Sequence, residues 1–251
     1  MLRIAVQSKG RLYEETLYLL GESGIHLNKS KRSLLITAEA FNIEVLFLRD
    51  DDIPQAVANG IADIGIVGEN EYIEKGAEAE IIKRLGFSKC RLSLAIPRHE
   101  DYQGLSWFEG KTIATSYPTI LNQFLKENNI KASTHVISGS VEIAPGIGLA
   151  NGIFDIVSSG STLVTNRLKE VEVVMKSEAL LIGNKELNGE KKKTLDELLF
   201  RIEAVQASTG KKYVLLNAPK KNLKEIIRLL PGIKSPTITP LADEEWVSIQ
   251  S

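Results

Sequence analysis

The amino-acid sequence predicts an α/β protein with two doubly wound lobes and a smaller C-terminal module. Short runs rich in Ile, Val and Leu alternate with segments of helical period, the pattern of sheets covered by helices on both faces. An eleven-residue stretch at 58–68 recurs at 150–160 with seven identities and no gap. Each copy reads as a helix ending in Asn-Gly, an aspartate, a strand and a glycine-bearing loop. We therefore expect two similar lobes facing each other across a cleft, although any helix–glycine–strand junction would give a similar pattern.

Nine apolar runs are predicted to be strands. They lie at 3–7, 33–37, 43–48, 64–67, 91–96, 112–115, 134–137, 154–157 and 171–175. Helices are predicted between them, including 13–22, where Leu17 and Leu20 share one face, and 121–128. Open α/β sheets bind ligands at the carboxyl ends of their strands, so the loops after these strands are the candidate site.

The pattern changes after residue 184. A helix is predicted at 190–208, and the segments 213–217, 223–230, 237–241 and 246–250 then read as β-α-β-β. This order begins a ferredoxin-like module, which normally adds another helix and strand, so we expect the module to be incomplete. The expected division is a first lobe of 1–96 with 176–209, a second lobe of 97–175, and a C-terminal module of 210–251.

Composition excludes several classes of protein. The 31 basic and 32 acidic residues give a formal charge of -1, so no long-range field would attract nucleic acid or an anionic membrane. The single cysteine, Cys90, excludes an intramolecular disulfide and a multi-cysteine metal site. The chain enters an apolar strand at once, and it contains no run of about 18 apolar residues. We expect a cytoplasmic protein.

The strongest local signal lies at 155–163, which reads Asp-Ile-Val-Ser-Ser-Gly-Ser-Thr-Leu. A strand ends here, and small residues allow backbone N–H groups to converge on a phosphate. Gly160 gives the loop its opening, and hydroxyl donors are supplied by Ser158, Ser159, Ser161 and Thr162. Asp155 could accept hydrogen bonds from ribose hydroxyls, so the stretch suits a ribose 5-phosphate. From these residues alone, a serine-rich surface turn explains the pattern equally well.

Lys9 and Arg11 form a second candidate site, between the first strand and the first helix. Two cations beside a helix N-terminus suit a polyphosphate, and the alternative is a solvated turn. Asp50 and Asp51 likewise begin a helix after a strand. Acids at this position stabilise the helix by themselves, but either of them could also bind Mg²⁺.

Two further strand ends carry candidate residues. Glu69, after Gly68, would face the cleft, although an exposed capping glutamate fits the pattern nearly as well. Tyr117 could stack on a base or a ribose, but a tyrosine before a proline more often packs in a core. No Ser/His/Asp or Cys/His arrangement is visible, so covalent catalysis is not expected.

Taken together, these segments resemble the ATP phosphoribosyltransferase family. The shared motifs are Ser-Lys-Gly-Arg (8–11), Arg-Asp-Asp-Asp-Ile-Pro (49–54), Asp-Ile-Gly-Ile-Val-Gly-Glu-Asn (63–70), Cys-Arg-Leu-Ser-Leu-Ala-Ile-Pro (90–97), Ala-Thr-Ser-Tyr-Pro (114–118), Gly-Ser-Val-Glu-Ile-Ala-Pro (139–145) and the 155–163 stretch. Residues 229–242, which read Leu-Leu-Pro-Gly-Ile-Lys-Ser-Pro-Thr-Ile-Thr-Pro-Leu-Ala, continue the match. One fragment alone is weak, but the ordered set is specific.

The resemblance implies a bilobal core like that of periplasmic binding proteins. It implies transfer of the phosphoribosyl group of phosphoribosyl pyrophosphate (PRPP) to N1 of the adenine of ATP, the first step of histidine biosynthesis, with Mg²⁺ as cofactor. PRPP would bind 155–162. Catalytic roles would fall to Lys9, Arg11 and Glu69, and ATP would contact Arg49, Asp50, Gly68 and Tyr117.

The resemblance also implies regulation and assembly. Long-form members bind histidine as an inhibitor at their C-terminal domain, at positions matching Asn217 and Thr237, and assemble as dimers and hexamers. The alternative is a binding-only protein that uses the same cleft, either as a small-molecule sensor or as an inactive subunit. The intact 8–11 and 155–163 motifs favour the enzyme.

Overall fold

A computed structural model describes residues 1–27, 33–38, 41–230, 232 and 235–251. The described chain forms two compact units, Met1–Ile202 and Glu203–Ser251. The strands of the first unit are β1 Leu2–Gln7, β2 Leu35–Thr37, β3 Ile43–Leu48, β4 Ile64–Gly68, β5 Glu80–Arg84, β6 Cys90–Pro97, β7 Thr112–Thr115, β8 Ser133–Val136, β9 Gly152–Val157, β10 Leu168–Ser177 and β11 Ala179–Gly183. Its helices are α1 Arg11–Glu22, α2 Ile53–Ala58, α3 Glu69–Lys75, α4 Pro118–Glu127 and α5 Ser161–Thr165, and α6 Gly189–Ser208 runs into the second unit.

The first lobe is built on a six-stranded sheet in the order β2-β3-β1-β4-β11-β5. β1 pairs in parallel with β3 and β4, whereas β11 runs antiparallel to β4 and β5. Helices cover both faces of the central strands, so side chains pointing either way are buried, such as Ile4 and Ala5, both with 0% exposure. The predicted strands at 3–7, 43–48 and 64–67 are confirmed, whereas the predicted strand 33–37 is shorter, because residues 33 and 34 lie outside β2.

The second lobe is built on a five-stranded sheet in the order β10-β6-β9-β7-β8. Residues 90–96 lie in this sheet as β6, antiparallel to β9, although the predicted boundaries assigned them to the first lobe. The chain therefore crosses between the lobes at 85–89 and returns after Ser177. The boundary was wrong because β5, an edge strand with exposed Glu80 and Arg84, gives little apolar signal before the crossing.

The strands of the two repeat copies, β4 and β9, have similar neighbours in their sheets, but they begin at different positions of the repeat. β4 runs parallel to β1 and antiparallel to β11, and β9 likewise runs parallel to β7 and antiparallel to β6. The aspartates of the two copies differ in place, because Asp63 precedes β4 whereas Asp155 lies within β9. The helix expected before Asn151 is replaced by a short 3-10 turn at Val141–Ile143.

The second unit has the predicted β-α-β-β order. Its elements are β12 Leu215–Pro219, α7 Leu223–Leu229, β13 Thr237–Pro240 and β14 Trp246–Gln250. β14 lies between the other two strands and runs antiparallel to both. Ala218, Val247 and Ile249 form a small core, against which Leu223 and Ile226 pack. Among the described residues of the whole chain, no helix has the length and apolarity needed to cross a membrane.

Candidate active site

The candidate site follows from where the strands end. β1, β3 and β4 of the first lobe end at Gln7, Leu48 and Gly68, and all three strands are parallel. In the second lobe, the parallel strands β7 and β9 end at Thr115 and Val157. The segments after these ends carry the predicted substrate residues apart from Gly68 and Asp155, as expected for an α/β sheet whose ligand lies beyond its carboxyl edge.

The loop after β9 is open and rich in hydroxyl groups. Gly160 has φ 83°, a left-handed conformation that favours glycine, and it precedes α5. Ser159 and Ser161 place their hydroxyl oxygens 3.0 Å apart. The side chains that could meet a ligand are exposed, namely Ser158, Ser159, Ser161 and Thr162. The loop therefore presents the hydroxyl donors predicted from the sequence, on a surface that a phosphate can reach.

Arg11 connects the two candidate segments directly. From the first turn of α1, its Nη1 donates to Ser158 Oγ at 2.9 Å, and its Nη2 donates to the carbonyl of Lys89 at 2.9 Å. Lys9 is exposed in the turn that precedes this helix. The cationic turn of the first lobe and the serine-rich loop of the second lobe thus face each other, as predicted.

A second arginine, outside the candidates predicted from the sequence, reaches the same loop. Arg91 Nη1 donates to the carbonyl of Ser158 at 3.1 Å, and its guanidinium pairs with the carboxylate of Glu170. This pair raises the pKa of Arg91 and lowers that of Glu170. The sequence signal that could have pointed to Arg91 is its place within the 90–97 motif, which is one of the motifs shared with the family.

Asp155 lies inside β9, opposite Ser93 of β6. Burial raises the pKa of its carboxyl to about 6, and the Glu142 charge adds to the rise, while the N–H of Ile156 acts against it. A partly buried carboxylate beside the serine-rich loop is suited to accept hydrogen bonds from hydroxyl groups.

Tyr117 occupies a different place from the one predicted. Its side chain is only 6% exposed, and Asn70 Nδ2 donates to its hydroxyl at 3.1 Å. Burial and the neighbouring Glu71 carboxylate raise the pKa of Tyr117. A buried ring offers no face to a base in this conformation. We therefore correct the predicted nucleotide contact: the Tyr117 ring packs in the core of the second lobe, and its hydroxyl reaches Asn70 of the first lobe.

Glu69 is held by an ion pair rather than projecting freely. Arg84 donates to both of its carboxylate oxygens and also pairs with Glu178, which raises the pKa of Arg84. A cavity of about 290 Å³ adjoins this cluster and is also lined by Cys90 and Ser177. Gly68, one residue earlier, leaves room for Asn70, whose Oδ1 would lie 2.5 Å from an added Cβ.

The acidic segment after β3, Asp50–Asp52, makes its ion pairs through Asp51. Asp51 lies 3.3 Å from Arg49 Nε and 3.9 Å from Lys75 Nζ, and its Oδ1 is buried from solvent. Oδ1 makes no hydrogen bond to any described residue, so these contacts do not exclude a metal, and Asp50 and Asp51 both stay predictions as metal ligands. Within the described ranges, no cluster of three or more His, Cys, Asp or Glu side chains could hold a metal ion.

The predicted effector residues share one face of the small sheet. Asn217 pairs with Ser248, and Thr237 pairs with Gln250, on either side of β14. Side chains alternate along strands, so Asn217 and Thr237 lie on the face opposite Ala218 and the core, and both are exposed.

A two-lobed α/β fold in which a cationic turn faces an open, hydroxyl-rich loop is suited to bind phosphorylated small molecules between the lobes. Comparison with known families is more specific. Residues 49–204 match the family model described as ATP phosphoribosyltransferase, and residues 208–251 match that of the HisG C-terminal domain. The chain belongs to the ATP phosphoribosyltransferase family.

Relatives and solved structures agree with this assignment. An ATP phosphoribosyltransferase of Parabacteroides distasonis is 74% identical over all of this chain and 89% of its own length, and one of Bacteroides thetaiotaomicron is 69% identical over the same shares. A structure of the ATP phosphoribosyl transferase (HisG:HisZ) complex from Thermotoga maritima aligns with TM-score 0.72 at 25% identity, covering 84% of this chain and 100% of that one. An alkanesulfonate-binding protein from Xanthomonas axonopodis has the same fold, with TM-score 0.54 at 12% identity, over 83% of this chain and 74% of that one.

Proposed function

We propose that the protein transfers the phosphoribosyl group of PRPP to N1 of the adenine of ATP and releases pyrophosphate, the first step of histidine biosynthesis. The observation that carries the proposal is the hydrogen bond from Arg11 to Ser158, which brings a cationic turn and a phosphate loop to the two sides of one cleft. One substrate on each side would let the reacting atoms meet between the lobes.

PRPP is assigned to the second lobe. Its 5-phosphate would accept hydrogen bonds from backbone N–H groups around Gly160 and from exposed hydroxyls of the loop, namely Ser158, Ser159, Ser161 and Thr162. The ribose hydroxyls would donate to Asp155. Support comes from the exposure of the loop, because the hydroxyls are already directed to solvent and few groups must move on binding.

ATP and the leaving pyrophosphate are assigned to the opposite edge. Lys9, Arg11 and Arg49 lie at the ends of β1 and β3 and supply positive charge where phosphates would lie. Gly68, at the end of β4, would contact the nucleotide through its backbone, because Asn70 fills the space beside its Cα. Glu69, held by Arg84, would steady positive charge developing on the ribose.

The chemistry requires alignment more than an acid or a base. The adenine N1 lone pair attacks the anomeric carbon, the bond from that carbon to pyrophosphate breaks, and the leaving group takes the electron pair. Alignment of the two reactants can supply about 7–11 kcal/mol of the rate enhancement. Lys9 and Arg11 would stabilise the charge that develops on pyrophosphate. The lack of a catalytic triad is consistent with this mechanism.

Mg²⁺ fits this site as an ion that arrives with the substrates. It commonly binds to one or two carboxylates and completes its coordination with phosphates and water, so a single half-buried carboxylate, Asp50 or Asp51, suffices. When bound, Mg²⁺ would neutralise charge on the polyphosphate.

We further propose that the protein acts as a homo-oligomer, a dimer or a hexamer, and that histidine inhibits it at Asn217 and Thr237.

The proposal is tested by following pyrophosphate release and the phosphoribosyl-adenine chromophore with ATP, PRPP and Mg²⁺. We expect activity in the unmodified protein and expect Asp155→Ala to raise KM for PRPP more than KM for ATP. Asp63→Ala is the matched control, because it removes the corresponding aspartate of the other repeat copy, which lies before β4 and accepts from the backbone N–H of Arg3. Equal losses for both substrates in Asp155→Ala would contradict the ribose assignment.

A further inference from the structure

Helix α3 of the first lobe is bound to the second lobe by two side chains one turn apart, Asn70 and Glu74. The Glu74 carboxylate accepts from the N–H groups of Thr119 at 2.8 Å and Ile120 at 3.0 Å, in the first turn of α4. Asn70 Nδ2 donates to the hydroxyl of Tyr117, which immediately precedes α4. Residues four apart share one face of a helix, so Asn70 and Glu74 contact the second lobe together.

The Asn70 end of this contact is buried and tied to the point where the chain crosses between the lobes. Ser177, the last residue of β10, donates from Oγ to Asn70 Oδ1 at 2.9 Å and accepts from the Asn70 N–H at 3.1 Å. Asn70, Ser177 and Tyr117 are 5%, 4% and 6% exposed. Buried polar groups that lose their partners are costly, so this network favours a single arrangement of the lobes.

Both helices in this contact start at the cleft. α3 begins at Glu69, directly after β4, and α4 begins at Pro118, shortly after β7. A bond between the start of α4 and the body of α3 therefore fixes how the substrate-binding edges of the two lobes face each other.

We propose that Asn70 and Glu74 are positioning residues of the transfer reaction. They set the angle between the lobes, and this angle sets the alignment of adenine N1 with the anomeric carbon of PRPP. The inference rests on the proposed placement of the two substrates on opposite lobes. Neither side chain has to touch a substrate for this role.

Glu74→Ala and Glu74→Gln test the proposal by separating kcat from KM. A displacement of about 1 Å between reacting groups can lower a rate about 100-fold, so we expect kcat to fall about 100-fold in Glu74→Ala and about 10-fold in Glu74→Gln, which keeps one acceptor oxygen. KM for PRPP should stay within about twofold, because the loop that binds it is intact. The matched control is Glu127→Ala, since Glu127 lies on α4 and accepts only from Gln123 of the same helix in the contacts observed here.

A distance measurement separates positioning from general damage. Spin labels at Tyr18→Cys in α1 and Lys126→Cys in α4, both exposed, would report the separation of the lobes in a Cys90→Ser background. We expect Glu74→Ala to broaden this distance distribution and Glu127→Ala to leave it unchanged. A normal kcat in Glu74→Ala, or a low kcat with an unchanged distribution, would overturn the proposal.

Coupling between the two side chains gives a second test. If Asn70 and Glu74 act through the same angle between the lobes, the double variant Asn70→Ala/Glu74→Ala should lose less kcat than the product of the two single-variant losses. Fully multiplicative losses would overturn the shared role. Absence of product with the unmodified protein would instead overturn the proposed function itself, so the two failures are distinguishable.

Discussion

Asp155→Asn should stabilise the protein while it weakens PRPP binding. The substitution keeps the shape of the side chain and an oxygen that can accept from the N–H of Ile156, but it removes a charge that burial disfavours. The pKa of Asp155 rises from 3.8 to about 6 on folding. Since one pKa unit corresponds to about 1.4 kcal/mol, the buried charge costs about 3 kcal/mol at neutral pH.

The sign of this effect gives it a distinctive pH dependence. Between pH 3.8 and about 6 the folded state holds the Asp155 proton more tightly than the unfolded state, so stability is lost as the pH rises through this window. The asparagine variant lacks this loss. Its gain in unfolding free energy should therefore be close to zero near pH 4 and reach about 3 kcal/mol above pH 7.

Urea unfolding at several pH values, followed by the fluorescence of Trp107 in a Trp246→Phe background, measures this gain for both proteins. KM for PRPP, measured on the same preparations, should rise, because a neutral amide accepts more weakly from ribose hydroxyls. A stability difference that did not vary with pH would refute the reasoning about the buried charge. An unchanged KM for PRPP would refute the role of Asp155 in binding ribose.

Three further outcomes follow from the structure. Gly65→Ala should lower the unfolding free energy by about 1–3 kcal/mol in urea titrations, because the added Cβ would lie 2.7 Å from Ile53 and 2.8 Å from Val57. Gly160→Ala should cost about 1–2 kcal/mol of stability, because φ is 83° there, and should raise KM for PRPP; an unchanged KM would argue against the loop assignment. Asn217→Ala should raise the histidine concentration that gives half-inhibition in the pyrophosphate assay without changing uninhibited kcat, and equal inhibition of both proteins would contradict the effector assignment.

The sequence predicted best those features that depend on local burial and local turns. β4 is buried from Ile64 to Val67, and every second residue of β3 is buried, so β1, β3 and β4 each give a clear apolar signal. The serine-rich loop after β9 was equally visible, because Gly160 and the small hydroxyl residues lie within a few positions of one another. β11 was missed although all of its residues are buried. A single residue separates it from β10, so no turn signal marked the passage between the sheets.

Contacts between the two lobes could not be predicted from any single segment of the sequence, because they join residues that are far apart in the chain. The bond from Asn70 to Tyr117 joins residues 47 positions apart, and its bond to Ser177 spans 107 positions. Tyr117 therefore looked like a candidate for stacking on a base, whereas the structure buries it. Arg91 was overlooked for the same reason, since its contact with Ser158 exists only once β6 lies beside β9.

Separate substrate contacts on the two lobes are tested most directly by a paired KM measurement. Arg49→Ala changes the edge of the first lobe, and Ser161→Ala changes the loop of the second lobe. We expect Arg49→Ala to raise KM for ATP with little effect on PRPP, and Ser161→Ala to do the reverse. If both variants weakened the same substrate, the two reactants could not lie on opposite sides of the cleft.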